Sequence, residues 1–530
     1  AYQSLGQFEK AIEYYTAALA ISRDIHDRRG EGSHLGNLGN AYRRLGQVEK
    51  AIEYHTAALA ISRDIHDRQG EGNDLGNLGN AYFSLGQFEK AIEYHTDALA
   101  ISRDIHDRQG EGNRLGNLGN AYDSLGQFEK AIEYHTAALA ISRDIHDRQG
   151  EGNRLGNLGN AYQSLGQFEK AIEYHTAGLA ISRDIHDRQG EANHFGNLGN
   201  AYQSLGQFEK AIEYHTAALA ISRDIHDRQG EGNRLGNLGN AYQSLGQFEK
   251  AIEYYTAALA ISRDIHDRQG EGNRLGNLGN AYDSLGQFEK AIEYHTAGLA
   301  ISRDIHDRQG EGNRLGNLGN AYQSLGQFEK AIEYHTAALA ISRDIHDRQG
   351  EGNDLSNLGL IYVSRNDPVA ALPHLRDARA AFDALWAGLR TDPQRVSYGD
   401  TDGPVLSGRA LQRALVATGE PSAAFDCAEA TRSRSLEVLL AQQRIERAAT
   451  SESASTATSL PSGSATRVVN AAAVQELARR QQTAVVYYSQ VQAATLLAWA
   501  TNSRGEALSC QTIELPEGAE SVEHLVELTR

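Results

Sequence analysis

The chain has 530 residues, of which 51 are Lys or Arg and 69 are Asp or Glu, and its formal charge of −18 is spread thinly along its length. No basic block is present to neutralise phosphates or anionic headgroups, so nucleic acid and membrane surfaces are excluded as expected partners. The only cysteines, Cys427 and Cys510, stand far apart and give neither a disulfide framework nor a metal-type spacing, which fits a reducing, cytoplasmic setting.

No apolar run approaches the roughly 18 residues of a spanning helix, and 1–30 is a repeat unit lacking its first part, not a signal peptide. With no Met and a start in mid-repeat, the sequence reads as a fragment of something longer. From Glu31 to Gly350 one forty-residue unit recurs in eight near-identical copies. A unit this short cannot bury its apolar face alone and must stack on its neighbours. Stacked copies make a surface and not a catalytic pocket, so the expectation is a chain that holds something.

In the copy Glu71–Gly110, the stretch from Arg68 to Leu85 places Leu75, Leu78, Tyr82 and Leu85 at spacings of three and four, which predicts a helix with one apolar stripe, helix A. Gly86 and Gln87 break it. Phe88, Ala91, Ile92, His95, Ala98, Leu99 and Ser102 continue the period to Ile105 and predict helix B. Asp107 is placed to cap the next helix A, while Arg103 with Asp107 and Asp104 with Arg108 sit at i,i+4 and could pair. Helix A carries Gly70, Gly72, Gly76 and Gly79, each costing about 1 kcal/mol relative to Ala, so stacking must supply its stability. Small residues also let neighbouring backbones approach. Gly178 and Gly298 replace a small Ala of helix B, a change the packing should tolerate.

Leu75, Leu78, Gly79, Tyr82, Gly86, Phe88, Ala91 and Ala98 fall at the signature positions of the tetratricopeptide repeat, which every copy resembles. The forty-residue length and the phrase Asn77-Leu78-Gly79-Asn80-Ala81-Tyr82 are similar to the long-repeat branch of kinesin light chains and Pins-like spindle-orientation proteins. The resemblance implies an all-α, right-handed superhelical solenoid of helical hairpins with the A helices on its concave face. Beyond Gly350 the unit decays: Leu355, Leu358, Gly359, Tyr362, Ala371 and Ala378 hold the frame while Leu360, Pro368 and Pro373 depart from it, which reads as a capping repeat over 351–390.

On helix A the side opposite the leucines is polar. Stacking would turn it into rows: Asn73, Asn113, Asn153, Asn193, Asn233, Asn273 and Asn313; Asn77, Asn117, Asn157, Asn197, Asn237, Asn277 and Asn317; and Asn80, Asn120, Asn160, Asn200, Asn240, Asn280 and Asn320. A carboxamide both donates and accepts, so such rows could grip the backbone of an extended peptide; in the family these positions are similar to groove residues that contact bound peptides. The same side chains could instead bond one another between adjacent A helices. The copies differ mainly at two spots beside this stripe. One is His34, Asp74, Arg114, Arg154, His194, Arg234, Arg274, Arg314 and Asp354, whose Arg members are available for acidic groups on a partner; the other is Arg43, Phe83, Asp123, Gln163, Gln203, Gln243, Asp283 and Gln323. The 20 His arise by repetition and predict no metal site. Tyr15 and Tyr255 stand in for His55, which marks a packing position, and equivalent His lie about 10 Å or more apart.

Two more helical patterns, Leu406–Thr418 and Ser422–Gln443, fall in a helical connector over 391–447. A Ser/Thr/Ala-rich linker follows over 448–466. After a helix near Ala472–Gln481, apolar runs at Ala484–Ser489, Ala493–Thr501 and Ala507–Leu515 predict strands, with a helix over Glu517–Leu528. The helix Ala428-Glu429-Ala430-Thr431-Arg432-Ser433-Arg434-Ser435-Leu436, followed by Val485-Val486-Tyr487-Tyr488-Ser489 and Leu496-Leu497-Ala498-Trp499, resembles the start of a CHAT domain, so 467–530 is read as the N-terminal part of a CHAT-like α/β domain. The whole order, with the array over 1–390, resembles the tetratricopeptide repeat protein 28 family, which implies a cytoplasmic scaffold linked to spindle, centrosome and midbody. In active CHAT peptidases the His and Cys come from later strands, so no catalytic residue is carried over; Cys427, Cys510 and His524 read as ordinary side chains. The sequence therefore predicts a non-enzymatic interaction scaffold without cofactor or metal that binds proteins or peptides in an Asn-lined groove. The alternative is a non-catalytic piece of a CHAT cysteine peptidase whose repeats sense a partner.

Overall fold

The computed structural model describes residues 6–389, 395, 398, 402–431, 485–492, 495–501 and 509–514. They fall in two compact units, 1–245 and 246–530. The first contains α1 (Phe8–Asp24), α2 (Arg28–Arg44), α3 (Val48–Asp64), α4 (Arg68–Ser84), α5 (Phe88–Asp104), α6 (Arg108–Ser124), α7 (Phe128–Asp144), α8 (Arg148–Ser164), α9 (Phe168–Asp184), α10 (Arg188–Ser204), α11 (Phe208–Asp224) and α12 (Arg228–Ser244). The second contains α13 (Phe248–Asp264), α14 (Arg268–Ser284), α15 (Phe288–Asp304), α16 (Arg308–Ser324), α17 (Phe328–Asp344), α18 (Arg348–Ser364), α19 (Pro368–Gly388) and α20 (Asp402–Ala417). In the repeats even-numbered helices are helix A and odd-numbered ones helix B, so the repeats of each unit form an all-α solenoid of hairpins.

Two compact turns connect the helices. After helix B, His106 N–H donates to the Arg103 carbonyl at 3.2 Å and Asp107 N–H to that of Ser102 at 2.8 Å, a Schellman closure with His106 at φ 54°. His is among the few non-glycine residues that enter this left-handed region with some frequency, which accounts for the invariant His66-type position. After helix A the same closure uses Gly126 at φ 70°. The Asp107 carboxylate accepts from Gly110 N–H at 2.8 Å, so it caps α6 as the sequence indicates. The i,i+4 pairs suggested across this turn give way to a longer chain of charges. Arg103 and Arg108 both bond Glu111, at 2.8 and 2.6 Å, and Arg108 reaches on to Asp144 at 2.9 Å. Burial pushes the Glu111 carboxyl up, but the two guanidinium hydrogen bonds outweigh it and hold the group below the usual range.

Each core segment is shared by three successive helices: Leu99 of α5, Leu115 and Leu118 of α6, and Ala138 and Ile141 of α7 are all buried together. Leu299, Leu315, Leu318, Ala338 and Ile341 repeat the pattern in the second unit. A fully covered leucine such as Leu118 contributes about 1.5–3 kcal/mol, and no hairpin can cover it alone.

The helix A glycines serve side chains, not approaching backbones. A Cβ on Gly112 would lie 3.0 Å from Ile141, one on Gly119 2.6 Å from the His135 ring, and one on Gly116 would overlap the Arg154 guanidinium. Each glycine is a notch with one assigned occupant. Gly178 and Gly298 follow the same logic: the missing methyl of Gly178 makes room for the His194 ring, and a Cβ on Gly298 would press on Arg314 at 3.3 Å.

In the second unit α19 starts at Pro368, is capped by Asp367 to Ala370 N–H at 3.0 Å, and runs through Pro373. The stretch read as a connector continues as another hairpin. Gly419, at φ 83°, closes α20, and the helical residues 421–431 fold back so that Ala410, Leu411, Ala414 and Leu415 pack with Ala424, Phe425 and Ala428 against Leu372 and Leu375. Further on, β1 (Val485–Gln492), β2 (Thr495–Thr501) and β3 (Ser509–Glu514) form an antiparallel sheet in the order β1-β2-β3. Their backbones pair Tyr487 with Trp499 and Trp499 with Cys510. The linker 448–466, the helices expected near Ala472–Gln481 and Glu517–Leu528, and His524 lie outside the described residues.

The notches predict opposite outcomes for one type of substitution. Gly119→Ala drives a methyl into a buried ring that cannot move away, and is expected to destabilise the array by about 1–3 kcal/mol despite the gain in helix propensity. Gly152→Ala meets only Ile181 at 3.3 Å, and the copy with Ala192 already carries that methyl, so it should be neutral or stabilising by up to about 1 kcal/mol. Thermal unfolding followed by circular dichroism compares the two.

Candidate functional site

Because Leu115, Leu118 and Ala121 hold one side of α6 in the core, Asn113, Asn117 and Asn120 are carried to the other. Asn73, Asn113, Asn153, Asn193, Asn233, Asn273 and Asn313 are exposed, and the Asn77 and Asn80 rows are mostly half-buried. The two inner rows are bonded across adjacent A helices. In the first unit Asn117 Nδ2 donates to Asn80 Oδ1, Asn157 to Asn120, Asn197 to Asn160 and Asn237 to Asn200, each at 3.2 Å. In the second, Asn317 donates to Asn280 at 3.0 Å and Asn357 to Asn320 at 3.3 Å. The structural role that the sequence left open for these residues is therefore present. Each bond uses one hydrogen of one amide and one lone pair of the other, so Asn117 and Asn80 keep further hydrogen-bonding capacity while their rotamers are fixed.

The structure places the arginines in the seam between A helices. Arg114 and Arg154 lie over Gly76 and Gly116, and Arg234 and Arg314 over Gly196 and Gly276. Arg114 donates to the Gly72 carbonyl and to Asn73 Oδ1, both at 3.3 Å; Arg154 and Arg234 reach Asn113 and Asn193 at 3.3 and 3.1 Å; Arg314 donates to the Gly272 carbonyl at 3.3 Å. Burial lowers the pKa of all five, Arg274 included, and the nearest carboxylates only partly oppose it. Arg114, Arg154 and Arg234 thereby brace the Asn73-type amides from the seam.

The other variable position is half-buried in every copy. Phe83 packs edge-on against Phe88 at 5.3 Å, and burial raises the pKa of Asp123 and Asp283. Gln163 and Gln203, with Asn200, Ser204, Asn240, Ser244 and Phe208, line a polar depression of about 370 Å³ on the face of the first unit.

The His55-type rings pack flat on glycine. Desolvation, reinforced by Arg43, pushes the pKa of His55 down to about 4; with Arg154 nearby His135 also falls to about 4, and beside Arg114 His95 falls to about 3. His55, His95 and His135 are therefore neutral packing groups. No cluster of three His, Cys, Asp or Glu suited to a metal exists among the described residues, and no described helix is long and apolar enough to cross a membrane. Cys427 is buried against the Gly408 carbonyl at 3.6 Å.

The missed features were the notches and their occupants. Their one signal in the sequence is the pairing of the exceptional Gly178 and Gly298 with His194 and Arg314, the most covered large residues of their series.

The tetratricopeptide repeat family profile matches residues 1–64, 73–144, 153–224, 233–304 and 313–384, more than half of the chain. The chain belongs to the tetratricopeptide repeat family. No curated protein matches it. Among solved structures, this tetratricopeptide repeat protein is similar to a Podospora anserina putative kinesin light chain with nearly identical TPR-like repeats, at 24% identity over 37% of this chain and 96% of that one, with TM-score 0.33. It is also similar to a STAND protein with a tetratricopeptide repeat sensor from Pyrococcus horikoshii, at 18% identity over 68% of this chain and 54% of that one, with TM-score 0.49. A third is the Rap protein complexed with competence and sporulation factor, at 16% identity over 74% of this chain and 99% of that one, with TM-score 0.43.

The buried histidines set an acid limit for the repeats. The unfolded chain binds their protons near pH 6.5 and the folded one only near pH 3–4, so stability is complete above about pH 6.5 and lost as pH falls toward 4. His135→Tyr, which copies the natural Tyr255, removes one such group, and a circular dichroism titration should show its unfolding midpoint at lower pH than the parent's.

Proposed function

We propose that this tetratricopeptide repeat protein is an interaction scaffold that holds extended segments of partner proteins along the Asn face of its A helices. The observation that supports the reading is the bonded Asn ladder: its amides are held in one orientation before any partner arrives and keep capacity for a peptide backbone. Adjacent A helices stand about 10 Å apart, roughly three residues of extended chain, so each repeat would meet one triplet of the bound segment. Partners of cytoskeletal, spindle or cell-division type, and kinship with the tetratricopeptide repeat protein 28 family, are drawn from motif resemblance alone. So is the alternative of a CHAT peptidase regulated by its repeats.

The test is the double variant Asn157→Ala with Asn160→Ala. It removes two ladder bonds, Asn157 to Asn120 and Asn197 to Asn160, each with a net effect of about 0.5–1.5 kcal/mol, while Ala improves helix propensity by about 0.5 kcal/mol per site. The melting temperature should therefore move little, and peptides selected on the parent from a random display library should no longer bind. Retained binding together with a large loss of stability would make the ladder purely structural.

A further inference from the structure

The seams between A helices contain a guanidinium receptor built into the repeat. At Gly76, Gly116, Gly196 and Gly276 the missing Cβ leaves a notch that the arginine of the following repeat fills, with Gly72 O and Asn73 Oδ1 accepting from Arg114. In the seam between α16 and α18 the residue at this position is Asp354. Its Oδ1 would stand 3.5 Å from a Cβ on Gly316, ordinary contact where the arginines would overlap one. The notch is thus short of a side chain. A cavity of about 500 Å³ is found here, and its lining includes Gly312, Asn313, Gly316 and Asp354, continuous with Asn317 and Asn357 of the Asn face.

Gly312 and Asn313 stand in the same register to residue 354 as Gly72 and Asn73 do to Arg114. With Asp at 354 they lose the guanidinium that their counterparts receive, and a carboxylate is added beside them. Asp354 is 7% exposed, with Ser342 Oγ at 3.2 Å from Oδ2 and His335 Nδ1 at 3.5 Å from Oδ1. Each carboxylate oxygen can accept more than one bond. Burial pushes this carboxyl up, the condition of an acid whose site lacks a full positive partner. In the first unit Asp74 repeats the exchange with Gly32 and Ser33 where the Asp354 seam has Gly312 and Asn313, so a hydroxyl stands in for the amide: Asp74 is 7% exposed, bonds Ser62 at 2.8 Å, and lies 3.6 Å from a Cβ on Gly36.

We propose that the Asp354 notch, and its counterpart at Asp74, are pockets for an arginine side chain supplied by a segment bound on the Asn face. The partner's guanidinium takes the place that the chain's own arginines occupy in the neighbouring seams. It pairs with the carboxylate as a fork and donates to the Gly312 carbonyl and the Asn313 amide. Lysine, a point charge without the planar fork, fits this receptor less well. The inference rests on the scaffold reading for the source of the arginine, but the pocket can be tested without it.

The probe is N-acetyl-arginine methylamide, titrated to about 20 mM against the full chain by ligand-observed NMR, beside the lysine and citrulline analogues. The arginine compound should bind at least about tenfold more tightly than either analogue. The double variant Asp74→Arg with Asp354→Arg, which fills both notches with the residue native to the other seams, should keep its helical signal and melting temperature and lose this binding. Equal affinity for arginine and citrulline, equal affinity for arginine and lysine, or undiminished binding to the double variant would each overturn the proposal. Asn157→Ala with Asn160→Ala leaves both notches intact, so failure of the groove reading would appear as unchanged peptide capture in that variant, whatever the arginine probe shows.

Discussion

The structure depends on the fit of a bulky side chain into a glycine notch on helix A. Leucine burial alone would hold the hairpins together, but it is non-directional and leaves their register loose. His135 over Gly119, Ile141 over Gly112 and Arg154 over Gly116 admit one relative placement of three helices. Helix A would not survive alone with four glycines in five turns, and the contacts those glycines permit restore its stability inside the stack. Local propensity is given up for specific packing, repeat after repeat.

The same constraint organises the polar face. With the leucines and the notches fixing the rotation of helix A, its asparagines arrive beside those of the next repeat at hydrogen-bonding distance, and the seam arginines hold the outer row from behind. The structural role of the ladder is compatible with the proposed binding role, because amides already bonded to each other would lose little conformational freedom if a peptide were held there. Differences between copies gather at the seam position, where Arg, His or Asp sets how full each notch is, so the face is uniform in its asparagines and varied beneath them.

Charge follows a parallel logic on the opposite edge. The chain Arg103–Glu111–Arg108–Asp144 passes from helix B of one repeat through helix A to helix B of the next. Its exposed members contribute little, while Glu111, nearly covered and held by two guanidinium groups, ties one hairpin to the next.

The forty-residue period, the leucine spacing, the Asp107 cap and the Gly86 break determined by themselves that these are stacked helical hairpins, because each acts within a few residues of itself. The hairpin over 402–431 was legible in principle, since Gly419 precedes Ala424 by the same five residues as Gly126 precedes Ala131, but the longer α19 and the stretch after it displace it from the repeat frame. Tertiary structure alone decided the partners of the seam. Arg114 and Arg154 read as surface charges in a linear sequence, and only the neighbouring helix, with a glycine at the matching height, turns them inward. The Asn rows likewise could have faced solvent or each other. A sequence gives the angle of a residue on its own helix, whereas the distance to an amide on the next helix depends on side chains in between, and that distance made the rows a ladder.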